Sequence, residues 1–249
     1  MRETVLTTPV RSLVLLEAVI RDGGRSTVAA LARETGIPVG SAHRHVAALV
    51  HAGYLVPASY GRHLPGPKLR ALAQLIDDKQ FLANAAAPIL AKLAPRSRCV
   101  VQLGTFENDM VTYRIKAGHS AGDLFTKVGM QLEAYCSGIG KVLLAHLPKE
   151  TQAHYLASGP FIALTERTIT DPVLLKMELD RVAIEGFALD EEEVVTGLQC
   201  IAVPVRNPNG EVIAAISASR EVAPGRTPWQ ETILPLLQAA AQDISLRAF

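Results

Sequence analysis

Near the start of the chain, apolar positions fall into short runs with helical spacing. Val10, Leu13, Val14 and Ala18 follow a 3.6-residue period, which predicts a helix from Val10 to Arg21 stopped by Gly23-Gly24. Ser26 reads as the N-cap of a second helix that turns Val28, Leu31 and Ala32 inward, and Gly36 reads as its left-handed end. Ile37-Pro38 leaves only a tight turn before a third helix, about Val39 to His51, closed by Gly53. Two short helices joined by so short a turn form a helix-turn-helix. Tyr54 to Val56 and Arg62 to Leu64 then read as strands around the turn Ala58-Ser59-Tyr60-Gly61, which makes a wing. A short helix from Leu69 to Ile76 ends at a charged boundary, Asp77-Asp78-Lys79.

The remainder mixes both periods. A long helix is expected from Phe81 to Leu93, interrupted near Pro88, and strands at Cys99 to Leu103 and Met110 to Ile115. Ser137 to Ala145, Thr151 to Ala157 and Val173 to Glu185 read as helices. Ile201 to Val205 and Val212 to Ser219 read as strands joined by the hairpin turn Asn207-Pro208-Asn209-Gly210, before a closing helix from Trp229 to Leu246. A terminal hairpin among mixed elements favours an antiparallel sheet flanked by helices over a doubly wound parallel sheet. The expected class is α/β in the α+β sense. Residues 1–66 form a winged helix-turn-helix, 67–80 a linker helix, and 81–249 a second domain.

Charge sharpens the first domain. The 249 residues carry a net charge of only +1, but residues 1–76 hold nine Lys/Arg against four Asp/Glu. No carboxylate occurs from Thr35 to Ile76, a stretch that includes Arg44, Arg62, Lys68, Arg70 and four of the seven histidines. A local basic stretch in a neutral chain suits DNA, because phosphate contacts dominate such affinity. On the third helix, Ala42, Val46, Leu49 and Val50 share an inner face. Gly40, Arg44, Ala47 and His51 lie opposite, with Ser41 and His43 at the flanks. Arg44 can pair bidentately with guanine or phosphate, Ser41 can donate to a phosphate, and Gly40 keeps the face slim. Arg62 is the wing's candidate for phosphate or the minor groove. His45, at the edge of the apolar face, reads as packed in preference to base-contacting.

Other chemistry is thin. Cys99, Cys136 and Cys200 lie far apart, with no metal spacing, which suits reduced thiols and a cytoplasmic protein. No secretory signal is read, and no apolar run reaches the roughly 20 residues of a membrane span. No GxSxG elbow, HExxH or CxxC is present, so neither catalysis, metal nor cofactor is expected. Gly138-Ile139-Gly140-Lys141 lacks the full phosphate-loop pattern, since Val142 follows the lysine. It still opens a helix whose amides suit an anion, unless the glycines serve only packing. Asp190-Glu191-Glu192-Glu193 reads as a solvated charge run, with Asp190 alone a pocket candidate beside Phe187 and Leu189. Ser217 and Ser219 alternate on an otherwise apolar strand, so both hydroxyls face one side of the sheet, with Cys200 across the hairpin. Hydroxyls and helix amides together would hold a small carboxylic acid. The rival class is a redox sensor or enzyme using Cys136 or Cys200, which requires an accessible, low-pKa thiolate.

These segments together resemble the IclR family of bacterial transcription regulators over nearly the whole chain. The resemblance is carried by Leu31-Ala32 through Gly36-Ile37-Pro38, His43-Arg44, Leu49 and Gly53-Tyr54-Leu55. It continues through Ser137 to Ala145, Glu185-Gly186-Phe187 to Asp190-Glu191-Glu192, Gly197 to Ala202 and Ala214 to Ser219. It implies a GAF-like effector domain and self-association as dimer or tetramer. Also implied are a pseudo-palindromic double-stranded DNA operator and an organic acid or aromatic effector. By the same resemblance the pocket positions are Gly138, Ile139, Asp190, Cys200, Ser217 and Ser219. The sequence departs from the family pattern at Gly40, His45 and His63, and at Tyr135, where histidine is common.

Overall fold

A computed structural model describes residues 7–118, 124–222 and 229–249. The chain divides into two compact units, one ending at Asp77 and one beginning at Asp78, within the charged segment.

In the first unit, α1 (Thr8–Asp22), α2 (Val28–Glu34) and α3 (Val39–His51) close around Leu15, Val19, Leu31, Ala42 and Val46. The second helix is capped one residue later than expected. Thr27 has the extended backbone of a cap and accepts from the Ala30 amide, while the Ser26 amide donates to Asp22 Oδ2 at 2.7 Å. Gly36 takes φ +68, the left-handed conformation that lets the chain reverse into α3 within two residues. The wing pairs β1 (Leu55–Pro57) with β2 (His63–Pro65), Val56 opposite Leu64. Arg62 lies in its turn, not its strand. Helix α4 (Pro67–Gln74) starts two residues earlier than expected, because proline at its first position already has a helical φ and needs no N–H partner.

The second unit opens with α5 (Asp78–Ser97), which runs unbroken through Pro88 and Pro95. The expected interruption is absent because Leu82, Ala86, Leu90 and Leu93 bury one face in the main core, and that packing outweighs the lost backbone bond. There follow β3 (Val100–Glu107), β4 (Met110–Ala117), β5 (Gln131–Glu133), α6 (Gly138–Ala145), α7 (Lys149–Ala157) and α8 (Pro172–Glu185). The chain ends with β6 (Ala188–Glu191), β7 (Leu198–Arg206), β8 (Val212–Glu221) and α9 (Trp229–Ala248). The six strands form one antiparallel sheet in the order β5-β4-β3-β8-β7-β6. Strands β5 and β6 have no counterpart in the sequence reading, since three or four residues are too few for an alternation to register.

Side-chain alternation gives the sheet two unlike faces. Val101, Leu103, Val203, Val205 and Ile216 meet α5 and α9 in an apolar layer. Ala188, Ala202 and Ala215 face α6, with α7 and α8 outside it. These three alanines let α6 approach closely. The closest contact is at Gly140, where an added Cβ would lie 2.0 Å from the Ala134 carbonyl oxygen and 2.5 Å from its Cα. At Gly138 the nearest atom to such a Cβ, Ala202 Cβ, is 3.4 Å away.

This difference predicts unequal effects of the same substitution. Gly140→Ala should lower the unfolding free energy by about 3 kcal/mol, because backbone must move. Gly138→Ala should change it by less than about 1 kcal/mol, since the new methyl meets ordinary packing and replaces a poor helix former. Urea titrations of both variants decide the matter, and equal effects would mean that α6 is not seated so tightly.

Candidate ligand cavity and nucleic-acid face

In the first unit the buried residues of α3 are Ala42, Val46 and Leu49. Gly40, His43, Arg44 and His51 are exposed, and Ser41 is half-buried. Arg44 forms no ion pair among the described residues, and no acid of its neighbourhood in sequence competes with a phosphate. His45 lies apart from this set, with its Nδ1 hydrogen-bonded to Ser12 Oγ of α1 at 2.8 Å. On the wing, Arg62 is exposed and sits 5.9 Å from the centre of the Tyr60 ring, itself exposed. Half-buried His63 is held towards its neutral form by desolvation and by the nearby His43.

In the second unit the α6-facing side of the sheet carries polar groups beyond the three alanines. The ladder sets Cys200 opposite Ser219, Ala202 opposite Ser217, and Ser217 opposite Gln102 of β3. Asp190 of β6 pairs with Cys200 on the other side. All six positions expected to line a pocket, Gly138, Ile139, Asp190, Cys200, Ser217 and Ser219, line one cavity. Counted out to its mouth, it has about 330 Å³ of space not filled by atoms. The part wide enough to seat a water is about 20 Å³, room for only about one or two molecules. A ring-sized guest therefore needs the walls to part.

One wall, Leu124-Phe125-Thr126, is tied to the sheet by polar bonds. Lys116 Nζ of β4 donates to the carbonyl of Leu124 at 2.6 Å and to that of Thr126. Gln102 Nε2 donates to Thr126 Oγ1 at 2.7 Å. Gln102, Tyr113 and the 124–126 segment also line the cavity and were missed in the sequence. Gln102 had a usable signal, being one amide within an apolar strand. Tyr113 and the 124–126 segment had none, because a register shift between Leu103 and Gly104 and a non-local fold bring them in.

Among the described residues that line the cavity none is a cation. Its attraction for an anion rests on dipoles. Ser137 caps α6 by accepting from the Gly140 amide at 3.1 Å, leaving the amides of Gly138 and Ile139 at the helix start without intrahelical acceptors. Burial raises the Asp190 carboxyl above the usual carboxylate range, opposed by the Glu193 amide, which donates to Asp190 Oδ1 at 2.8 Å. Of the expected solvated run, Asp190 is buried on the cavity side, where it was the pocket candidate, and Glu191 is exposed; Glu193 departs from the expectation, being buried in its ion pair with Lys141. Ser219 Oγ is buried with no hydrogen-bond partner of normal geometry, facing only the Cys200 thiol across the ladder. Burial raises the thiols of Cys200 and Cys99, and that of Cys136 to about 12. The low-pKa thiolate of the redox reading is therefore absent at all three cysteines. Tyr135 does not line the cavity, and its hydroxyl donates to the Ile162 carbonyl at 2.7 Å.

Comparison with known proteins gives one consistent result. The pattern of the bacterial transcriptional regulator IclR C-terminal domain matches residues 75–246, and that of the IclR helix-turn-helix domain matches residues 8–58. The Pca regulon regulatory protein of Pseudomonas putida is 28% identical over 98% of this chain and 84% of its own length. Among solved structures, an IclR homolog complexed with 4-hydroxybenzoate, from Microbacterium hydrocarbonoxydans, is 27% identical with a TM-score of 0.63, covering 97% of this chain and 99% of that one. The Thermotoga maritima IclR is 26% identical with the same TM-score, covering 97% and 98%.

The Ser219 hydroxyl has only the weak Cys200 thiol beside it, so Ser219→Ala should change the stability of the ligand-free protein by less than about 1 kcal/mol. Thermal and urea unfolding measure this, and a larger loss of stability would mean that the hydroxyl has a strong partner.

Proposed function

Because this chain belongs to the IclR family of bacterial transcription regulators, we propose that it binds DNA in response to a small carboxylic acid held in the second unit's cavity. The observation that carries the reading is the convergence of the α6 amides at Gly138 and Ile139 with the hydroxyls of Ser217 and Ser219 on one cavity. Helix-start amides and hydroxyls suit a carboxylate without a partner cation. Asp190, at the other strand edge, suits a hydroxyl of the same guest, and Ile139, Leu132 and Val194 suit its apolar body. The regulator of the Pca regulon and the 4-hydroxybenzoate complex among its relatives support an aromatic acid.

On DNA, Arg44 with Ser41, His43 and Gly40 would face the major groove, and Arg62 would reach phosphate or the minor groove. One such module makes few contacts, so the active species is a dimer or a dimer of dimers on a pseudo-palindrome. Effector binding parts the Leu124–Thr126 wall from the sheet and shifts the population between DNA-competent and incompetent arrangements. A coupling of about 1–3 kcal/mol suffices to change DNA affinity 5- to 150-fold. No catalytic step belongs to this reading.

Two measurements test its halves separately. Arg44→Ala should weaken operator binding by roughly 1–3 kcal/mol in gel-shift titrations at fixed salt, with unfolding unchanged. Unaltered affinity would remove α3 from the groove. For the cavity, calorimetry should show aromatic and aliphatic acids binding better than their amides. The Ser217→Ala, Ser219→Ala double variant should lose about tenfold or more in acid affinity. A preference for amides, or full affinity in the double variant, would move the effector elsewhere.

A further inference from the structure

A buried tyrosine hydroxyl normally finds a hydrogen-bond partner. In the second unit Tyr113, Tyr135 and Tyr155 are buried. The Tyr135 hydroxyl donates to the Ile162 carbonyl, and the Tyr155 hydroxyl lies at the Tyr135 amide. Tyr113 differs. It is 4% exposed and lines the ligand cavity, yet its hydroxyl makes no hydrogen bond among the described residues. Its backbone is held on both sides, the amide donating to the Met130 carbonyl at 3.0 Å and the carbonyl accepting from the Gly129 amide at 2.8 Å. The residue belongs to the buried cluster that includes Val111 and Ile139. The side chain is thus seated while its polar end is left without an acceptor.

The groups near enough to act on that hydroxyl are the Cys200 thiol, the Asp190 carboxyl and the Cys136 thiol. Two of them are already engaged. The Cys200 thiol donates to Asp190 and accepts from Ser219, and Asp190 also accepts from the Glu193 amide. Cys136 directly precedes Ser137, the cap of α6, so the Tyr113 hydroxyl lies near the first turn of that helix. Burial raises the phenol above the usual tyrosine range, and the thiol and carboxyl groups push the same way, so it stays protonated and serves as a donor. The amides of Gly138 and Ile139 line the same cavity, as does Ser217, whose hydroxyl also has no partner among the described residues. With only about 20 Å³ wide enough for a water, the groups around it meet the same few atoms of a guest. Together these donors match the roughly four acceptor positions of a carboxylate, whereas a guest hydroxyl would leave most of them unmet.

We propose that the Tyr113 hydroxyl donates to the guest's carboxylate at the start of α6 and so selects an acid over its amide. This rests on the carboxylic-acid reading of the cavity. A bond from a phenol to a charged oxygen is stronger than one between neutral groups, and here it also satisfies a donor that the protein leaves unmet.

The test uses the full chain in calorimetry at fixed pH and salt, with acetate, benzoate and 4-hydroxybenzoate as acids and benzamide as the neutral control. Tyr113→Phe removes one oxygen and keeps the ring, so the unfolding midpoint should hold. Affinity for each acid that binds the unaltered protein should fall about tenfold in this variant, and that for benzamide should not change. In the unaltered protein, with its tyrosines labelled with carbon-13 at Cζ, the Tyr113 signal is identified by its absence from the variant. It should move on titration with acid while the Tyr135 and Tyr155 signals stay in place. Full acid affinity in the variant would overturn the assignment and leave the acid reading of the cavity standing. A loss confined to 4-hydroxybenzoate would place the hydroxyl on a guest's phenol and overturn it equally. Failure of the unaltered protein to bind any of the three acids, or a preference for benzamide, would overturn the cavity reading and the assignment together.

Discussion

Helix α6 sits against the sheet at a distance that a missing side chain permits. At Gly104 of β3 an added carbon would lie 2.9 Å from Ile139 Cγ2, while the bare Gly140 lets the helix fold back on the Ala134 backbone of the turn that leads into it. With both positions bare, the first turn of α6 comes down over the polar strip formed by Gln102, Ser217 and Cys200. The cavity is the gap that remains there. Its small free volume, its amides and its buried hydroxyls all follow from how closely this helix approaches.

The two faces of the sheet divide the work of stability and recognition. The face against α5 and α9 is apolar at its centre and supplies most of the hydrophobic burial, with the Arg220–Trp229 contact and the Lys79–Glu107 pair at its margins. The α6 face tolerates Gln102, Asp190, Ser217 and Ser219 at 3% exposure or less, and one of these, Ser219, has only the weak Cys200 thiol as partner. Buried polar groups left short of partners reduce stability, so their concentration on one face marks it as a place for recognition.

Much of this arrangement was legible along the chain. Helical spacing and its glycine stops marked α1 to α3, and the carboxylate-free stretch from Thr35 to Ile76 marked the basic face. Alternation put Ser217 and Ser219 on one side of β8, and Asn209-Gly210 turned β7 beside it, so Cys200 could be paired with them from local rules alone. These signals are short-range. Each depends on residues within one element or one turn, where period and turn chemistry have direct physical meaning.

What lay beyond the sequence depends on pairing across long separations. Lys141 and Glu193 are 52 residues apart, and no local pattern joins them or reveals that a glutamate in an acidic run is buried. Strands β5 and β6 exist only because β4 and β7 offer them edges. Pro88 and Pro95 stay inside α5 because the core on its far side compensates for the lost backbone bonds, a balance that no residue-by-residue preference contains. The sequence by itself determined the helix-turn-helix and the hairpin, and its resemblance to a family pointed to six residues that the fold brings to one cavity. The tertiary structure alone decided how wide the cavity is, which segment walls it, and which charges meet, because those depend on distances between elements that are far apart along the chain.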